Sequence, residues 1–450
     1  MMLTDRQNQD APNGYKLTEV GVIPNDWEVQ PIKQLLLDTP KYGINAPAVP
    51  LASGLPVYIR ITDISESGYF SPVEKVGVKS HFSHMYELSD GDIVLARTGA
   101  SVGKSYLYNP DDGSLVFAGF LIKISPNDTV LNPKYLRQYL NTEQYWNWVK
   151  VNSMRSGQPG INGNEYGLLP IPLPSLTEQT AIANALSDVD ALIRELEKLI
   201  AKKQAIKTAT MQQLLTGKKR LPQFAKNEDG TPKGYKKSEL GDIPEDWQSL
   251  SLGSDAVLKA RIGWQALTTK EYQISGDFFL VTGTDFDAGL VKWERCFHVS
   301  EWRYKQDTNI QLKEGDVLVT KDGTIGKVGY VPKLTKPATL NSGVFVIRPK
   351  RERFEPRFLF YILTSRLFDD FITRITAGST ITHLYQKDFV NFEFLAPEKS
   401  EQIAIASILS DMDSDIQALE QQLSKTRQIK QGMMQELLTG KTRLVKPETK

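Results

Sequence analysis

Two stretches of the chain space their apolar residues alternately four and three apart. The first carries Ile182, Leu186, Val189, Ile193, Leu196 and Ile200; the second carries Ile405, Leu409, Met412, Ile416, Leu419 and Leu423. That alternation is a heptad seam, and it predicts two helices that each bury one narrow stripe against a partner. Thr177 and Ser400 are suited to open these helices. Gly217 and Gly440, both in LLTGK, are suited to close them, and the basic residues that follow complement the helix dipole. A helix from 177 to 215 is about 58 Å long at 1.5 Å per residue. The first seam lapses near Gln204 and resumes at Ile206 or Met211, which predicts a kink or a change of partner there. Neither helix can cover its seam alone, and each serving as the other's partner is the simplest solution. The helix-pair interface is therefore expected at Leu186, Val189, Ile193, Leu196 and Ile200 on one side, and at Leu409, Met412, Ile416, Leu419 and Leu423 on the other.

The two helical stretches are copies. Thr177 to Leu221 aligns without a gap on Ser400 to Leu444, with 24 of 45 positions identical. A shorter echo precedes each: GYKLTEVGVIPNDW from Gly14 and GYKKSELGDIPEDW from Gly234 share nine of fourteen positions. The inserts between echo and helix, about 28–174 and 248–396, diverge. Their patterns are nonetheless alike: alternating β-type runs LPVYIRITDI and DFFLVTGTDF, then GDIVLARTG and GDVLVTKDG, then helical pieces from Pro133 to Lys150 and from Pro356 to Arg374, opened by proline. Each insert reads as an α+β domain, and the polar PQFAKNEDGTPK at 222–233 as an exposed connector.

At 450 residues the chain exceeds a single core, and each repeat is long enough for its own. No apolar run is long enough for a membrane span, and the polar N-terminus does not read as a secretory signal. The lone Cys296 excludes an internal disulfide and a multi-cysteine zinc site, and fits a reducing cytoplasm. A net charge of +1 excludes little, because a nucleic-acid binder can gather its cations on one face. Such clusters occur at Lys198, Lys202, Lys203 and Lys207, and at Lys218, Lys219 and Arg220, although a solvated helix face is the more ordinary explanation of each.

GASVGKS at Gly99 to Ser105 superficially matches a phosphate-binding loop, but Thr98 stands where the first glycine belongs. The matching DGTIGKV is one residue shorter and lacks the hydroxyl needed for magnesium. A turn between two strands accounts for the glycines. What recurs is a cation before the turn (Arg97, Lys321) and another after it (Lys104, Lys327). Cations flanking a glycine loop can meet a phosphate backbone. Thr98, Ser101 and Thr324 lie inside these loops. Arg155 and Gln158 in NSMRSGQPG, and Thr380 and His383 in TAGSTITH, occupy matching loops whose donors and acceptors suit base edges as well as plain turns. Trp27 and Trp247 read as core anchors. The four histidines form no metal-ligand pair, and neither a nucleophile elbow nor a methyltransferase signature is present, so no catalytic or metal site is expected.

Taken with the repeated helix sequences, IPNDW and IPEDW, GDIVLARTGASVGK and GDVLVTKDGTIGK, and LLTGKKRL and LLTGKTRL resemble the specificity subunit of type I restriction–modification enzymes over the whole chain. The resemblance implies two similar α+β target-recognition domains separated by a long antiparallel two-helix coiled coil, with an internal pseudo-two-fold duplication. Its divisions fall at 1–175 (first recognition domain), 176–219 (central helix), 220–233 (linker), 234–397 (second recognition domain), 398–440 (C-terminal helix) and 441–450 (tail). It also implies a non-catalytic, cytoplasmic protein that reads an interrupted bipartite target in double-stranded DNA. Two methyltransferase subunits and restriction subunits would dock on it. S-adenosylmethionine, ATP and magnesium would belong to those partners, and this chain would bind no cofactor. A nucleotide-binding protein and a coiled-coil scaffold without DNA contact are the competing readings.

Overall fold

The computed structural model describes residues 11–155, 157–238, 241–376 and 383–446. The chain divides into two compact units, one comprising Met1–Glu197 with Gln421–Lys450 and the other Lys198–Glu420. The long helices Leu176–Leu214 and Lys399–Leu437 each contribute one half to each unit.

In the first unit a four-stranded antiparallel sheet runs in the order Lys41–Tyr42, Leu121–Ile124, Ile93–Ala96, Ser105–Leu107. A second sheet pairs Val57–Ile59 in parallel with Leu115–Phe117 and antiparallel with Val76–Val78, which also carries Ala48–Pro50. Glu28–Pro31 pairs with Pro170–Leu173 and ties the start of the insert to its end. The second unit repeats this plan. Ala256–Ala260, Val344–Pro349, Val317–Thr320 and Val328–Tyr330 take the same order, continued by Leu290–Val291 and Phe286–Asp287. Phe278–Val281 pairs in parallel with Ala338–Leu340 and antiparallel with Phe297–Val299, and Gln248–Ser251 pairs with Glu393–Ala396. Inserts that diverge in sequence thus share their strand pairing.

The helical pieces depart from the sequence reading. Each is two helices: Pro133–Tyr139 and Glu143–Asn152, then Pro356–Leu363 and Arg366–Thr376. Side-chain hydroxyls at the breaks compete for backbone groups. Thr142 donates to the Tyr139 carbonyl (2.7 Å) and accepts from the Tyr145 N–H (3.2 Å). Thr364 and Ser365 donate to the carbonyls of Phe360 (3.0 Å) and Ile362 (2.7 Å).

Within each unit the halves of the long helices run antiparallel. In the first, Asp190 meets Lys430 (2.7 Å) and Glu197 meets Arg427 (2.6 Å), so numbers rise on one helix as they fall on the other. In the second, Lys203 meets Asp415 (2.9 Å) and Lys207 meets Asp413. Leu186, Leu196, Ile200, Leu409 and Ile416 are buried, and Val189, Ile193, Met412, Leu419 and Leu423 are half-buried. Burying one such side chain stabilises by roughly 1.5–3 kcal/mol. Both helices are unbroken. Where the first seam lapses, Ile206 is exposed and Met211, Leu214 and Leu215 join the second unit's core with Trp247, Ile405 and Leu409, which is a change of partner.

The repeated motifs converge on one cluster in each unit. Arg443, after the second helix, donates to Asp26 of IPNDW (3.0 and 2.8 Å) and to Glu178 at the start of the first helix (2.5 and 2.7 Å); Trp27 Nε1 also donates to Glu178 (3.2 Å). Arg220, after the first helix, binds Glu401 and Asp246 in the same way (Nε to Glu401 3.1 Å, Nη1 to Asp246 2.7 Å). Arg220 is therefore a buried tie and not part of a solvated basic face. Gly217 and Gly440 take positive φ (+72° and +69°), and a Cβ on either would stand 2.5 or 2.4 Å from Pro244 or Pro24. Only glycine fits there. Hydrogen bonding to Arg443 holds the Asp26 carboxyl below its usual range. Burial pushes Asp246 upward, but hydrogen bonds from Lys233 and Arg220 outweigh it and leave that carboxyl lowered too.

Candidate nucleic-acid interface

The strands Ile93–Ala96 and Val317–Thr320 each turn through the glycine-rich segment into an antiparallel partner, so the segment is a hairpin connection. In the first unit Gly103 N–H returns to Ala96 O (3.0 Å); in the second, Gly326 N–H returns to Thr320 O (2.9 Å). Gly103 lies against the Glu143–Asn152 helix, where a Cβ would stand 2.8 Å from Val149, and the Tyr145 hydroxyl donates to its carbonyl (2.7 Å). Further N–H groups of the turn are bonded within the turn or to the neighbouring loop: Val102 to Gly99 O (3.1 Å), Lys104 to Ser101 O (3.0 Å) and Gly99 to Pro159 O (2.9 Å). They are not aimed at a ligand, which removes the support for a nucleotide-binding cradle.

A second loop folds onto each hairpin. Ile161 N–H donates to Arg97 O (2.9 Å) and Thr98 bridges to Gly160; Leu384 N–H donates to Lys321 O (2.7 Å) and Asp322 bridges to His383. The predicted residues are thus brought together in two equivalent places. Arg97 lies 4.8 Å over the Tyr42 ring and reaches Gly119 O (3.4 Å). Thr98 and Ser101 are half-buried, while Gln158 is exposed with its amide against Gly99. Lys321 lies 5.4 Å over the Phe345 ring, and Lys327 donates to Gly283 O (3.1 Å). Thr324 is exposed and its carbonyl accepts from Thr320. Thr380 falls outside the described residues.

Three of these donors face a carboxylate. Lys104 meets Glu66 at 2.5 Å, Arg155 meets both oxygens of Glu165 (2.6 and 2.5 Å), and His383 meets Asp322. The Asn162 backbone N–H, followed by the Arg155 guanidinium, holds the Glu165 carboxyl below the ordinary range. Glu66 is 89% exposed while Lys104 is only 19% exposed, so the carboxylate covers the ammonium from the solvent side. Sequence reasoning missed Glu66, Tyr42 and Asp322. Asp322 stands inside the quoted DGTIGK and was legible as a neighbour of Lys321; Glu66 comes from a distant turn and Tyr42 from a distant strand, and neither carried a signal. Among the described residues, no group of three His, Cys, Asp or Glu is placed to hold a metal, and no helix is long and apolar enough to cross a membrane.

The model of the type I restriction modification DNA specificity domain matches this chain twice, at residues 24–208 and 244–429. The MjaVIII type I restriction enzyme specificity subunit of Methanocaldococcus jannaschii is 26% identical over 429 residues, 94% of each chain. The protein named for the MjaX specificity subunit of the same organism is 29% identical over 438 residues, 96% of this chain and 97% of that one. The solved type I restriction-modification S subunit from M. genitalium has a similar fold, with a TM-score of 0.60 at 17% identity over 91% of this chain and 96% of its own. With both repeats matched by the family model across most of its length, the chain belongs to the type I restriction modification DNA specificity domain family.

Proposed function

We propose that this chain reads a bipartite, interrupted DNA target, one half with each unit, as the specificity subunit of a type I restriction–modification complex. The observation that carries the reading is the recurrence of one cation-flanked hairpin in both units, closed by the same pair of backbone hydrogen bonds but surrounded by different side chains. A common scaffold with divergent rims suits two readers of different base pairs. Lys104 and Lys327 would position phosphates, Arg97 and Lys321 would meet either phosphates or base edges, and Thr98, Ser101, Arg155, Gln158, Thr324, Thr380 and His383 are the candidates for base contact.

The chain itself would perform no bond chemistry. Two methyltransferase subunits would dock on the repeated frame and restriction subunits would join them; S-adenosylmethionine, ATP and magnesium would be bound by those partners. The exposed Leu199 and Ile206, seven residues apart on the first long helix, support docking along the frame. Methylome sequencing of the host with and without the gene tests the reading. An interrupted adenine-methylated motif should vanish on deletion. Exchanging residues 28–174 for a relative's insert should alter one half of it; loss of neither half, or alteration of both, would refute it.

A further inference from the structure

The strand that ends at Ile59 and the strand that ends at Val281 occupy the same place in their units. Each pairs in parallel with a strand (Leu115–Phe117, Ala338–Leu340), and each terminal carbonyl accepts the next N–H beyond it: Ala118 to Ile59 (3.1 Å) and Asn341 to Val281 (2.9 Å). The residues that follow, Arg60 and Thr282, are therefore equivalent. The equivalence continues for three more residues. The Arg60 N–H donates to Asp63 (2.8 Å) and the Thr282 N–H to Asp285 (2.7 Å), and both aspartates are buried.

Each aspartate also takes hold of the side chain at the variable position. Arg60 donates from Nε (2.9 Å) and Nη2 (2.8 Å) to the two oxygens of Asp63, whereas Thr282 donates its hydroxyl to Asp285 (3.0 Å). The backbone and its anchoring carboxylate are retained, and only the presented group changes. The turn lies beside the candidate interface in both units. Lys104 reaches Glu66 in the turn's continuation, and Lys327 reaches Gly283 within the turn. The strand partner leads within three residues to the leading cation, with Arg97 N–H on Phe120 O (3.1 Å) and Lys321 N–H on Gly343 O (2.9 Å).

We propose that Arg60 and Thr282 are corresponding specificity-determining residues, and that Arg60 reads the major-groove edge of a guanine in the half-site of the first unit. The proposal rests on the DNA-reading function above. Asp63 occupies the Nε–Nη2 edge of the guanidinium and leaves the Nη1–Nη2 edge unengaged by that carboxylate, on a side chain that is 34% exposed. Two parallel N–H donors on a planar fork match O6 and N7 of guanine. Fixing the fork beforehand removes side-chain entropy that binding would otherwise cost. Because Asp63 neutralises the charge, Arg60 contributes discrimination rather than general attraction to phosphate. Thr282, short and neutral, cannot span the same distance and selects a different pair.

The test uses the chain assembled with its methyltransferase subunits, the half read by the first unit being identified by exchange of residues 28–174. That half should contain a fixed G·C pair. Arg60→Gln should relax methylation at that single pair, reducing the preference by about tenfold to a hundredfold, while the other half keeps its sequence. Arg60→Lys, which retains the charge beside Asp63 but not the fork, should relax the same pair and guards against misfolding of the first variant. The slope of log affinity against log salt should stay at the wild-type value. A half-site without a fixed G·C pair, unchanged preference in both variants, or uniform weakening with a flatter slope would overturn the assignment. If the wild-type assembly showed no chain-dependent interrupted motif, the DNA-reading function itself would fall, a result distinct from all three.

Discussion

Arg443 grips both carboxylate oxygens of Glu178, with Nε at 2.5 Å and Nη2 at 2.7 Å, across 265 residues of chain. The same guanidinium reaches Asp26, so the end of one helix, the start of the other and the IPNDW turn are fastened at a single point. Arg220 repeats the arrangement with Glu401 and Asp246. These residues are held identical in the two repeats because one geometry is built twice from them.

Removing the fork leaves Glu178, which is 1% exposed, without its cation. Arg443→Ala should cost about 3–5 kcal/mol, the usual consequence of stranding one member of a buried pair. Arg443→Lys should recover only part of that, since an ammonium cannot serve two carboxylates through a planar fork. Chemical denaturation of both variants checks this, and a stability within 0.5 kcal/mol of wild type for the alanine variant would show the cluster to be incidental.

The same clusters set a pH dependence. Asp26 and Asp246 ionise below their ordinary value of 3.8 in the folded chain. A lowered folded value means that the stabilisation is fully present above the unfolded value and is lost as pH falls through the folded one. Stability should therefore be flat with respect to these two groups near neutrality and decline as pH drops below about 4. Asp26→Asn should be less stable than wild type at pH 7 and should approach it in acid. A constant difference from pH 7 to pH 3 would contradict the assignment.

How much of this was legible in the sequence depends on the range of the interaction. The heptad positions were readable because burial on a helix repeats locally, and Leu186, Leu196, Ile200, Leu409 and Ile416 are buried as that repeat requires. The two strands at GDIVLA and GDVLVT were readable instead as short apolar, β-branched runs, buried at every position. The breaks at Thr142 and Thr364 were not, since proline-opened apolar periodicity continues across them and only the hydroxyl's choice of carbonyl ends the turn. Arg220 and Arg443 looked like dipole-compensating surface residues because the buried glutamates they hold, Glu401 and Glu178, are more than 180 residues away. Arg60 was invisible as a counterpart of Thr282, because the correspondence is one of strand register, not residue identity.

The helix pairing gives a third prediction. Leu196 is buried and Ile193 half-buried within the first unit. Replacing both with Asp would bring two uncompensated charges into the seam and cost several kcal/mol. Thermal unfolding should begin at a lower temperature, and assembly with methyltransferase subunits should weaken. An unchanged melting temperature together with unchanged assembly would show that the seam does not hold the helices together.

The last prediction separates phosphate contact from mere turn formation at the cation-flanked hairpins. Lys104 is covered by Glu66, whereas Lys327 rests on the Gly283 carbonyl and the Phe286 ring at 5.8 Å. If phosphates replace these partners on binding, Lys104→Ala and Lys327→Ala should each weaken binding to matched and mismatched duplexes alike. Each lost contact should flatten the slope of log affinity against log salt by about 0.9. Glu66→Gln should act in the opposite direction, because the phosphate no longer has to displace a carboxylate. An exposed ion pair of this kind is worth about 1 kcal/mol or less, so affinity should rise by roughly fivefold or less. That gain should be the same for matched and mismatched duplexes. Affinity titrations at several salt concentrations check all three variants. If both lysine variants retained the wild-type affinity and slope, the hairpins would be turns without a DNA contact, and the phosphate-positioning role would have to be sought on other residues of the two units.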